Sequence, residues 1–253
     1  MSHPQHTFQR AAAAGGVVCV LMFFAAFALG GFIPPISPSL TAAQVAAHYR
    51  AHTEGIRLGG LVMMIGSMLY APFTAVISAQ VARIPGVHRA VHYTQLAAGA
   101  FASVTFLIPG MLFVLAAFRP ERPVEQTMLL NDLAWVLLVL PWPPFFTQNV
   151  AFAFAILADP RRPGLFPRWL AYANIWAPLS FSPSVLLPFF KTGPFAWNGL
   201  FVVWIPAVVF IAQFVVNATA LFAAVKDEEG SEVVGGVTTT ADEPGLADAA
   251  VGS

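Results

Sequence analysis

The stretch that decides the fold lies near the amino terminus, where residues 11–33 read AAAAGGVVCVLMFFAAFALGGFI. None of these residues is charged, and nearly all are apolar or small. An α-helix rises about 1.5 Å per residue, so roughly 20 apolar residues cross the ~30 Å hydrocarbon core of a bilayer. The stretch is also longer than the apolar core of a secretory signal, which has about 7–15 residues. We therefore predict an uncleaved membrane-spanning helix here.

Five more stretches without Asp, Glu, Lys or Arg follow along the chain. The six stretches are 22 to 39 residues long, so each can hold one span and none comfortably holds two. Their apolar residues are continuous, whereas the strands of a membrane β-barrel would alternate. The sequence predicts an all-α fold, a polytopic transmembrane helical bundle formed by residues 1–225. Its six spans are expected near 11–33, 55–83, 91–118, 128–158, 168–190 and 197–225.

The composition supports a membrane protein and excludes several soluble classes. Of the 253 residues, 58% are hydrophobic and only 9% are charged, whereas a soluble domain is about 25% charged. That deficit excludes a disordered chain, a nucleic-acid binder with a basic face and almost any soluble enzyme of this size. We expect membrane lipids as partners and no nucleic acid.

The formal net charge of zero conceals two unlike parts of the chain. Residues 1–225 hold 11 basic and five acidic residues, whereas residues 226–253 hold one basic and seven acidic residues. The second part has no large aromatic residue, so it cannot bury enough apolar surface to become ordered. We predict a disordered acidic tail over residues 226–253.

The longest connection follows the first span and should contain a short helix. Residues 34–38 read PPISP and must be extended, because proline restricts the residue before it and has no backbone donor. Thr41 and Gln44 have the spacing of a capping box, which predicts a helix over about 42–53. We expect this helix to lie at the outer membrane interface.

An even number of spans places both termini on the same side of the membrane. In the six-span topology that side carries seven basic residues, and the opposite side carries five. The seven are Arg10, Arg83, Arg89, Arg161, Arg162, Arg168 and Lys226; the five are Arg50, Arg57, Arg119, Arg122 and Lys191. Because positive residues accumulate on the cytoplasmic side, we expect a multi-pass protein of the cell membrane with both termini cytoplasmic.

Prolines interrupt several of the expected spans. Residues 140–144, LPWPP, must break the fourth span, and the fifth span should unwind in part because Pro183 and Pro188 lie five residues apart. Broken helices in a membrane face protein or a water-filled cavity, and pairs of them often frame a binding site. The alternative is that these prolines are kinks that only shape the bundle.

Polar residues concentrate in spans four to six, which suggests a polar-lined crevice there. Polar side chains are costly in hydrocarbon and usually point into the bundle. The candidate ligand-binding residues are Trp142, Gln148, Asn149, Asn174 and Gln213. Nearby phenylalanines could line an apolar pocket or face lipid. The alternative for the polar residues is interhelical hydrogen bonding that only fixes the packing.

The sequence contains no recognisable catalytic or metal-binding constellation. Cys19 is the only cysteine, which excludes an intrachain disulfide and cysteine-based metal sites. The pairs His48/His52 and His88/His92 have metal-compatible i, i+4 spacing, but they belong to opposite sides of the expected topology and lack further ligands. No phosphate loop, nucleophile elbow or zinc-protease motif is present. We therefore name no catalytic residue, metal site or cofactor and favour a non-enzymatic protein.

Two segments carry a family resemblance. The first is the PPISP segment at 34–38, continuing through Tyr49-Arg50 to the GIR segment at 55–57; the second is KTGPFAWNG at 191–199. Together they resemble an uncharacterised family of six-span bacterial integral membrane proteins, and the resemblance covers residues ~10–225. It implies a bacterial membrane protein with six spans, and it assigns no activity, cofactor or site residue.

Three functional hypotheses follow from the sequence. The leading one is a multi-pass membrane protein that binds or passes a small hydrophobic molecule, lipid or sterol-like, in the proline-kinked crevice of spans four to six. The second is a non-catalytic accessory subunit that docks onto membrane-protein partners. The third is a metal- or haem-dependent membrane enzyme.

Overall fold

The computed structural model describes the backbone of residues 3–241 and the side chains of residues 4–231. This part of the chain contains helices and no strand. The α-helices are α1 (His3–Leu29), α2 (Ala42–Ala51), α3 (Thr53–Ala82), α4 (Arg89–Phe118), α5 (Val124–Val139), α6 (Pro143–Ala158), α7 (Arg168–Leu179) and α8 (Ile205–Ala241). A 3₁₀ helix, Ser182–Phe189, follows α7, and a π-helical turn, Leu200–Trp204, leads directly into α8.

Five helical stretches are long and apolar enough to cross a membrane. They are Pro4–Leu29, Thr53–Ala82, Arg89–Phe118, Val124–Ala158 and Leu200–Ser231. Their mean hydropathy ranges from 1.4 to 2.4 over the most apolar windows. The prediction of an all-α chain is therefore confirmed for the described residues, and five candidate membrane-spanning helices support a multi-pass membrane protein.

The proline-rich segments interrupt their helices as predicted. α5 ends at Val139 and α6 begins at Pro143, so the LPWPP segment separates two helices. The stretch expected as a fifth span divides into α7, which has 12 residues, and the 3₁₀ helix, which has eight. Proline has no backbone N–H and its ring clashes with the preceding turn, so it kinks or breaks a helix. The single prolines Pro72 and Pro109 lie inside α3 and α4, whereas the closely spaced prolines coincide with the ends of α-helices.

The two ends of the bundle are identified by contacts between distant parts of the chain. At one end, Arg10 near the start of α1 pairs with Glu229 in α8, and Arg83 after α3 pairs with Asp227 at 3.4 Å. We call this the terminal end. At the opposite end, the far end, the Arg57 Nε donates to the Ala117 carbonyl oxygen at 3.2 Å. α1, α3, α4 and α8 thus run the length of one bundle.

α3 lies against both α1 and α4, and glycines allow the close approach. A Cβ atom on Gly59 would collide with the backbone of Ala26 in α1. A Cβ on Gly60 would lie 2.7 Å from the Gly110 carbonyl oxygen, and one on Gly110 would lie 2.9 Å from the Gly60 carbonyl oxygen. Small residues are common at helix interfaces in membranes because they let two backbones pack directly.

α8 extends further than the sequence suggested. The tail was expected to be disordered from Lys226, whereas the described backbone of residues 226–241 continues the helix. The acidic side chains at its start are held by cations of the bundle, since Arg83 pairs with both Asp227 and Glu228. The remainder of the predicted tail, residues 242–253, lies outside the described part of the chain.

The short helix after α1 begins where the capping box predicted. The backbone N–H of Gln44 donates to the Thr41 hydroxyl at 3.3 Å, and the backbone N–H of Thr41 donates to Gln44 Oε1 at 2.9 Å. One face of α2 is buried, and the Tyr49 hydroxyl donates to Asn131 Oδ1 in α5 at 3.2 Å. α2 therefore packs against the far end of the helical bundle.

Candidate functional site

A partly open cavity of about 130 Å³ lies between the helices of the bundle, and we call it the aromatic cavity. Its wall is built by α1, α4, α5, the α5–α6 break, the start of α6, the junction of α7 with the 3₁₀ helix, the 3₁₀ helix, the π-helical turn and the start of α8. The aromatic residues in the wall are Phe23, Phe24, Phe27, Phe106, Trp135, Trp142, Phe145, Phe181 and Phe210. The cavity thus extends beyond the expected crevice of spans four to six, since α1 and α4 contribute four of these rings.

The cavity lies where the helices are irregular. Pro141 and Trp142, between α5 and α6, both line it. Phe181 and Ser184 contribute from the junction of α7 with the 3₁₀ helix, and Pro206 contributes from the start of α8. Regular helices pack ridges into grooves and leave little space, whereas interrupted helices cannot do so along their whole length. The proline breaks therefore explain the position of the cavity.

Phe210 stands at the centre of the aromatic wall. Its ring centroid lies 5.7 Å from that of Phe145, 5.8 Å from Phe106, 6.0 Å from Phe23 and 6.1 Å from Phe181. These separations are in the range of favourable edge-to-face and tilted aromatic contacts. The rings support one another, which gives the cavity a well-defined apolar surface.

Two residues of the wall each hold a buried polar atom that has no hydrogen-bond partner among residues 4–231. These atoms are the indole Nε1 of Trp135 and the hydroxyl Oγ of Ser184, whose residues are 1% and 2% exposed. Most buried polar groups in proteins are hydrogen-bonded, because an unpaired one costs free energy. An apolar cavity with an unpaired donor and an unpaired hydroxyl in its wall has the composition of a small-molecule site.

A second cavity of about 70 Å³ adjoins the first and is lined by aromatic and aliphatic residues. The two cavities share Phe24, Phe27 and Trp135 as wall residues. The second cavity also reaches Ile33 and Trp204, which are 52% and 41% exposed. Its wall therefore combines residues of the aromatic cavity with residues on the outer surface of the bundle.

Of the five candidate ligand-binding residues, Trp142 lines the aromatic cavity and the other four do not. Asn149, Asn174 and Gln213 form one buried network with Asn217. The Gln213 Nε2 donates to Asn149 Oδ1 and, at 3.2 Å, to Asn174 Oδ1. The Asn174 Nδ2 donates to Asn217 Oδ1 at 2.9 Å. This network joins α6, α7 and α8.

Gln148 belongs to a second buried network that joins α3, α4 and α6. The Tyr70 hydroxyl donates to Gln148 Oε1 at 2.6 Å, and the Gln148 Nε2 donates to Thr74 Oγ1 at 3.1 Å. Thr74 Oγ1 also accepts from Gln95 Nε2 at 2.9 Å. The Gln95 Oε1 and the Gln213 Oε1 have no hydrogen-bond partner among residues 4–231. Because the other amide groups described in the two networks bond protein groups, their geometry favours the alternative role of fixing the helix packing.

The residues that sequence reasoning missed are mainly aromatic. Phe23 and Phe27 in α1 and Phe106 in α4 line the aromatic cavity, although their helices were not expected to contribute. A phenylalanine that faces a cavity and one that faces lipid look the same in a sequence. Trp135 could have been noticed as a tryptophan within an expected span, but its missing partner is visible only in the folded chain.

The histidine pairs lie at opposite ends of the bundle, as the topology predicted. The His48 and His52 rings stack at 4.4 Å in the α2 region, and burial, followed by the neighbouring His52, lowers the pKa of His48. His92 contacts Ser78 near the terminal end, where the Ser78 hydroxyl donates to the His92 carbonyl oxygen at 2.9 Å. Within residues 4–231, no three or more His, Cys, Asp or Glu side chains cluster as metal ligands would.

Asp159, which follows α6, has a structural role in its loop. Its carboxylate accepts from Arg161 Nη2 at 2.8 Å and from the backbone N–H of Leu165 at 2.9 Å. The hydrogen bond from the Arg161 guanidinium is the main reason that the pKa of Asp159 falls to about 2. The pair closes the connection between α6 and α7 and lies away from the aromatic cavity.

Comparisons of the chain with protein-family models, with curated proteins and with solved structures find no match. Function is therefore inferred from the geometry and chemistry of the aromatic cavity itself.

Proposed function

We propose that the protein is a multi-pass membrane protein that binds or passes a small hydrophobic molecule in the aromatic cavity. The observation that carries this proposal is the cavity itself, an apolar space inside the bundle with phenylalanine and tryptophan rings in its wall. Ligand sites are concave and mostly apolar, with a few polar groups that fix the orientation of the ligand.

The volume of the cavity limits the size of the ligand. An apolar cavity of about 150 Å³ is large enough to take up benzene, whereas drug-sized ligands occupy about 300–1,000 Å³. The 130 Å³ of the aromatic cavity therefore favours a single-ring compound or the end of a lipid chain. A whole lipid or a sterol would have most of its volume outside the cavity.

The second cavity supports access from the bilayer. Its exposed residues, Ile33 and Trp204, lie on the outer surface of the bundle, and its inner wall is shared with the aromatic cavity. A hydrophobic molecule is concentrated in the bilayer because transfer out of water is favourable. We propose that such a molecule enters laterally between these residues.

The predicted site residues have two different roles in this proposal. Trp142 is part of the ligand-contacting wall. Gln148, Asn149, Asn174 and Gln213 position the helices around the cavity through their buried hydrogen bonds. Interhelical hydrogen bonds of this kind in membranes contribute about 0.6–2 kcal/mol each, enough to fix a packing arrangement collectively.

We also propose six spans, with α7 and the 3₁₀ helix together forming the fifth. The 12 residues of α7 and the eight residues of the 3₁₀ helix span roughly 34 Å, comparable to the ~30 Å hydrocarbon core. The pairing of Arg10 with Glu229 at the terminal end is consistent with an even number of crossings. Both termini are then cytoplasmic by the positive-inside rule, and α2 lies at the outer interface.

Filling the aromatic cavity tests the binding proposal. Purified protein in mild detergent is titrated with α-methylstyrene, a single-ring hydrocarbon, and the unfolding midpoint is recorded. A ligand that binds the folded state raises that midpoint. Ala207 lines the cavity, so Ala207→Phe should abolish the rise. Ala223→Phe, an equal substitution at an exposed position of α8, should retain it. An equal response in Ala207→Phe and the unaltered protein would refute binding in this cavity.

A further inference from the structure

We infer that the ligand of the aromatic cavity is a single-ring compound bearing an oxygen acceptor, bound through the Trp135 indole N–H and the Ser184 hydroxyl. This inference rests on the proposed binding function and adds the chemical class of the ligand. It is carried by the two polar groups of the cavity wall that have no partner among residues 4–231.

The Trp135 side chain is held so that it cannot turn toward another acceptor. Its ring is stacked on Phe27 at 5.5 Å and on Trp197 at 6.2 Å. Phe32 and Phe113 stand nearly perpendicular to it at 5.6 and 5.7 Å. Reorienting the indole would require all four of these rings to move, which close packing opposes.

An indole nitrogen can only donate a hydrogen bond, so the missing partner of Trp135 must be an acceptor. A serine hydroxyl can donate or accept, so the Ser184 hydroxyl can also bond to a ligand acceptor. The other polar side chains of the wall are Thr105, whose hydroxyl already donates to the Ala102 carbonyl oxygen at 2.6 Å, and Trp142, whose indole N–H is a further donor. Because both atoms are buried beneath the cavity surface, a ligand oxygen reaches them only when the adjoining wall side chains shift, and it then supplies the acceptor that the Trp135 N–H lacks.

The rest of the wall selects the remainder of the ligand. Phe23, Phe106 and Phe210 offer ring faces and edges and no hydrogen-bonding atoms. An oxygen attached to an aromatic or other flat six-membered ring places one acceptor at the edge of an otherwise apolar body. Aryl ketones, phenols and quinones have this form and match a cavity of about 130 Å³.

Two probes of nearly equal shape separate the contribution of the ligand oxygen to binding from the contribution of ligand shape. Acetophenone carries a carbonyl group where α-methylstyrene carries a methylidene group, and the two differ little in size. Each probe is titrated against the purified full-length protein in mild detergent, and its binding constant is obtained from the shift in unfolding midpoint. The ratio of the two constants is then compared between variants, which cancels the partition of each probe into detergent.

Trp135→Phe removes the indole N–H and keeps an aromatic ring. We expect the ratio of binding constants to shift about tenfold toward α-methylstyrene relative to the unaltered protein, because one hydrogen bond to a buried donor is lost. Ser184→Ala should shift the ratio in the same direction and remains available if Trp135→Phe does not fold. The control Trp176→Phe makes the same substitution at a tryptophan that is 71% exposed, and it should leave the ratio unchanged.

The possible results separate the two proposals. If neither probe binds the unaltered protein, the proposed binding function fails and the inference fails with it. If both bind and the ratio is the same in Trp135→Phe and Ser184→Ala as in the unaltered protein, binding stands but the inference is overturned. In that case the faces of Phe32 and Phe113 would be the partners of the Trp135 N–H.

Discussion

Two stacked tryptophans at the far end differ in the hydrogen bonding of their indole N–H groups. The rings of Trp135 and Trp197 are almost parallel, with centroids 6.2 Å apart. The Trp197 Nε1 donates to the Ile36 carbonyl oxygen at 2.8 Å, so Trp197 fastens the connection after α1. The Trp135 Nε1 has no such acceptor among residues 4–231, and it belongs to a residue that lines both cavities. Trp135 and Trp197 are the same residue type and both are buried. Only the hydrogen-bond partner of Trp197 distinguishes it, as a structural tryptophan, from Trp135, the candidate ligand-binding one.

A substitution of Asn174 tests whether the buried amides position the helices. Asn174→Leu would leave Asn217 without its side-chain partner and remove one acceptor from Gln213. We expect the free energy of unfolding to fall by about 1–3 kcal/mol, because buried polar groups are left unpaired. Reversible unfolding in mixed micelles measures this change.

The double variant and a surface control make the test specific. Asn174→Leu with Asn217→Leu should be less destabilised than the sum of the two single variants, since both partners of the bond are then apolar. Thr219→Val removes an exposed hydroxyl that bonds the Val216 carbonyl oxygen of its own helix, and it should have little effect. Simple additivity of the two asparagine substitutions would contradict a direct hydrogen bond between them.

At the scale of the elements, the proline breaks interrupt helices and leave space for the aromatic cavity. Residues 140–142 separate α5 from α6, and the 3₁₀ helix follows α7. The interrupted segments bring Pro141, Trp142 and Ser184 into one wall. Continuous helices would have brought regular side-chain ridges together and closed the space. The irregular elements therefore create the cavity rather than merely shaping the bundle.

The extension of α8 beyond Lys226 can be tested through the contacts that hold it. Arg83 holds it, since its Nη1 donates to the Ala224 carbonyl oxygen at 3.1 Å and its guanidinium pairs with Asp227 and Glu228. Arg83→Gln should accelerate backbone amide exchange over residues 226–231 by about fivefold, the effect of losing roughly 1 kcal/mol of partly exposed ion pairing. Hydrogen–deuterium exchange with mass spectrometry detects it.

The matched control for this prediction is Arg89→Gln. Arg89 is exposed near the same end of the bundle, so replacing it removes an equal charge without the contacts to α8. Equal exchange over residues 226–231 in both variants would mean that general electrostatics, and not the contacts of Arg83, stabilise the extension. High salt should mimic Arg83→Gln in the unaltered protein, because salt screens exposed charge pairs.

At the scale of the whole molecule, charges mark the two ends of the bundle. Arg10 and Arg83 lie at the terminal end with the acidic start of the α8 extension. Arg57 lies at the far end, where it pairs with Glu54 at 2.6 Å and donates to the end of α4. The long apolar helices between these ends carry their exposed large hydrophobic residues outward, as a protein solvated by lipid should.

The proposed orientation predicts which end is reached from outside the cell. In a Cys19→Ala background, Ser39→Cys at the far end should react with a membrane-impermeant maleimide in intact cells. Ala82→Cys, exposed at the terminal end, should react only after the membrane is permeabilised. Cys19 itself is 3% exposed, so it contributes little background even before it is replaced. The reverse pattern would contradict cytoplasmic termini, and labelling of both positions in intact cells would contradict a spanning bundle.

The sequence alone was sufficient for the features that depend on local chemistry. The uncharged stretches predicted the long helices, because an apolar run of about 20 residues is stable only where lipid or a large core surrounds it. The capping box of Thr41 and Gln44 predicted the start of α2, and the LPWPP segment predicted the end of α5. Each of these depends on residues close together in the chain, so the local sequence contains the information.

Only the tertiary structure decided where the cavity lies and which polar groups remain free. Gln148 and Asn174 were reasonable ligand contacts by residue type, yet their amides are bonded to Tyr70 and Asn217 across helix interfaces. The walls from α1 and α4, the unpaired N–H of Trp135 and the contacts that extend α8 beyond Lys226 likewise depend on residues far apart in sequence. Apolar surface packs without direction, so a sequence predicts that helices will bury their faces but not which faces will meet.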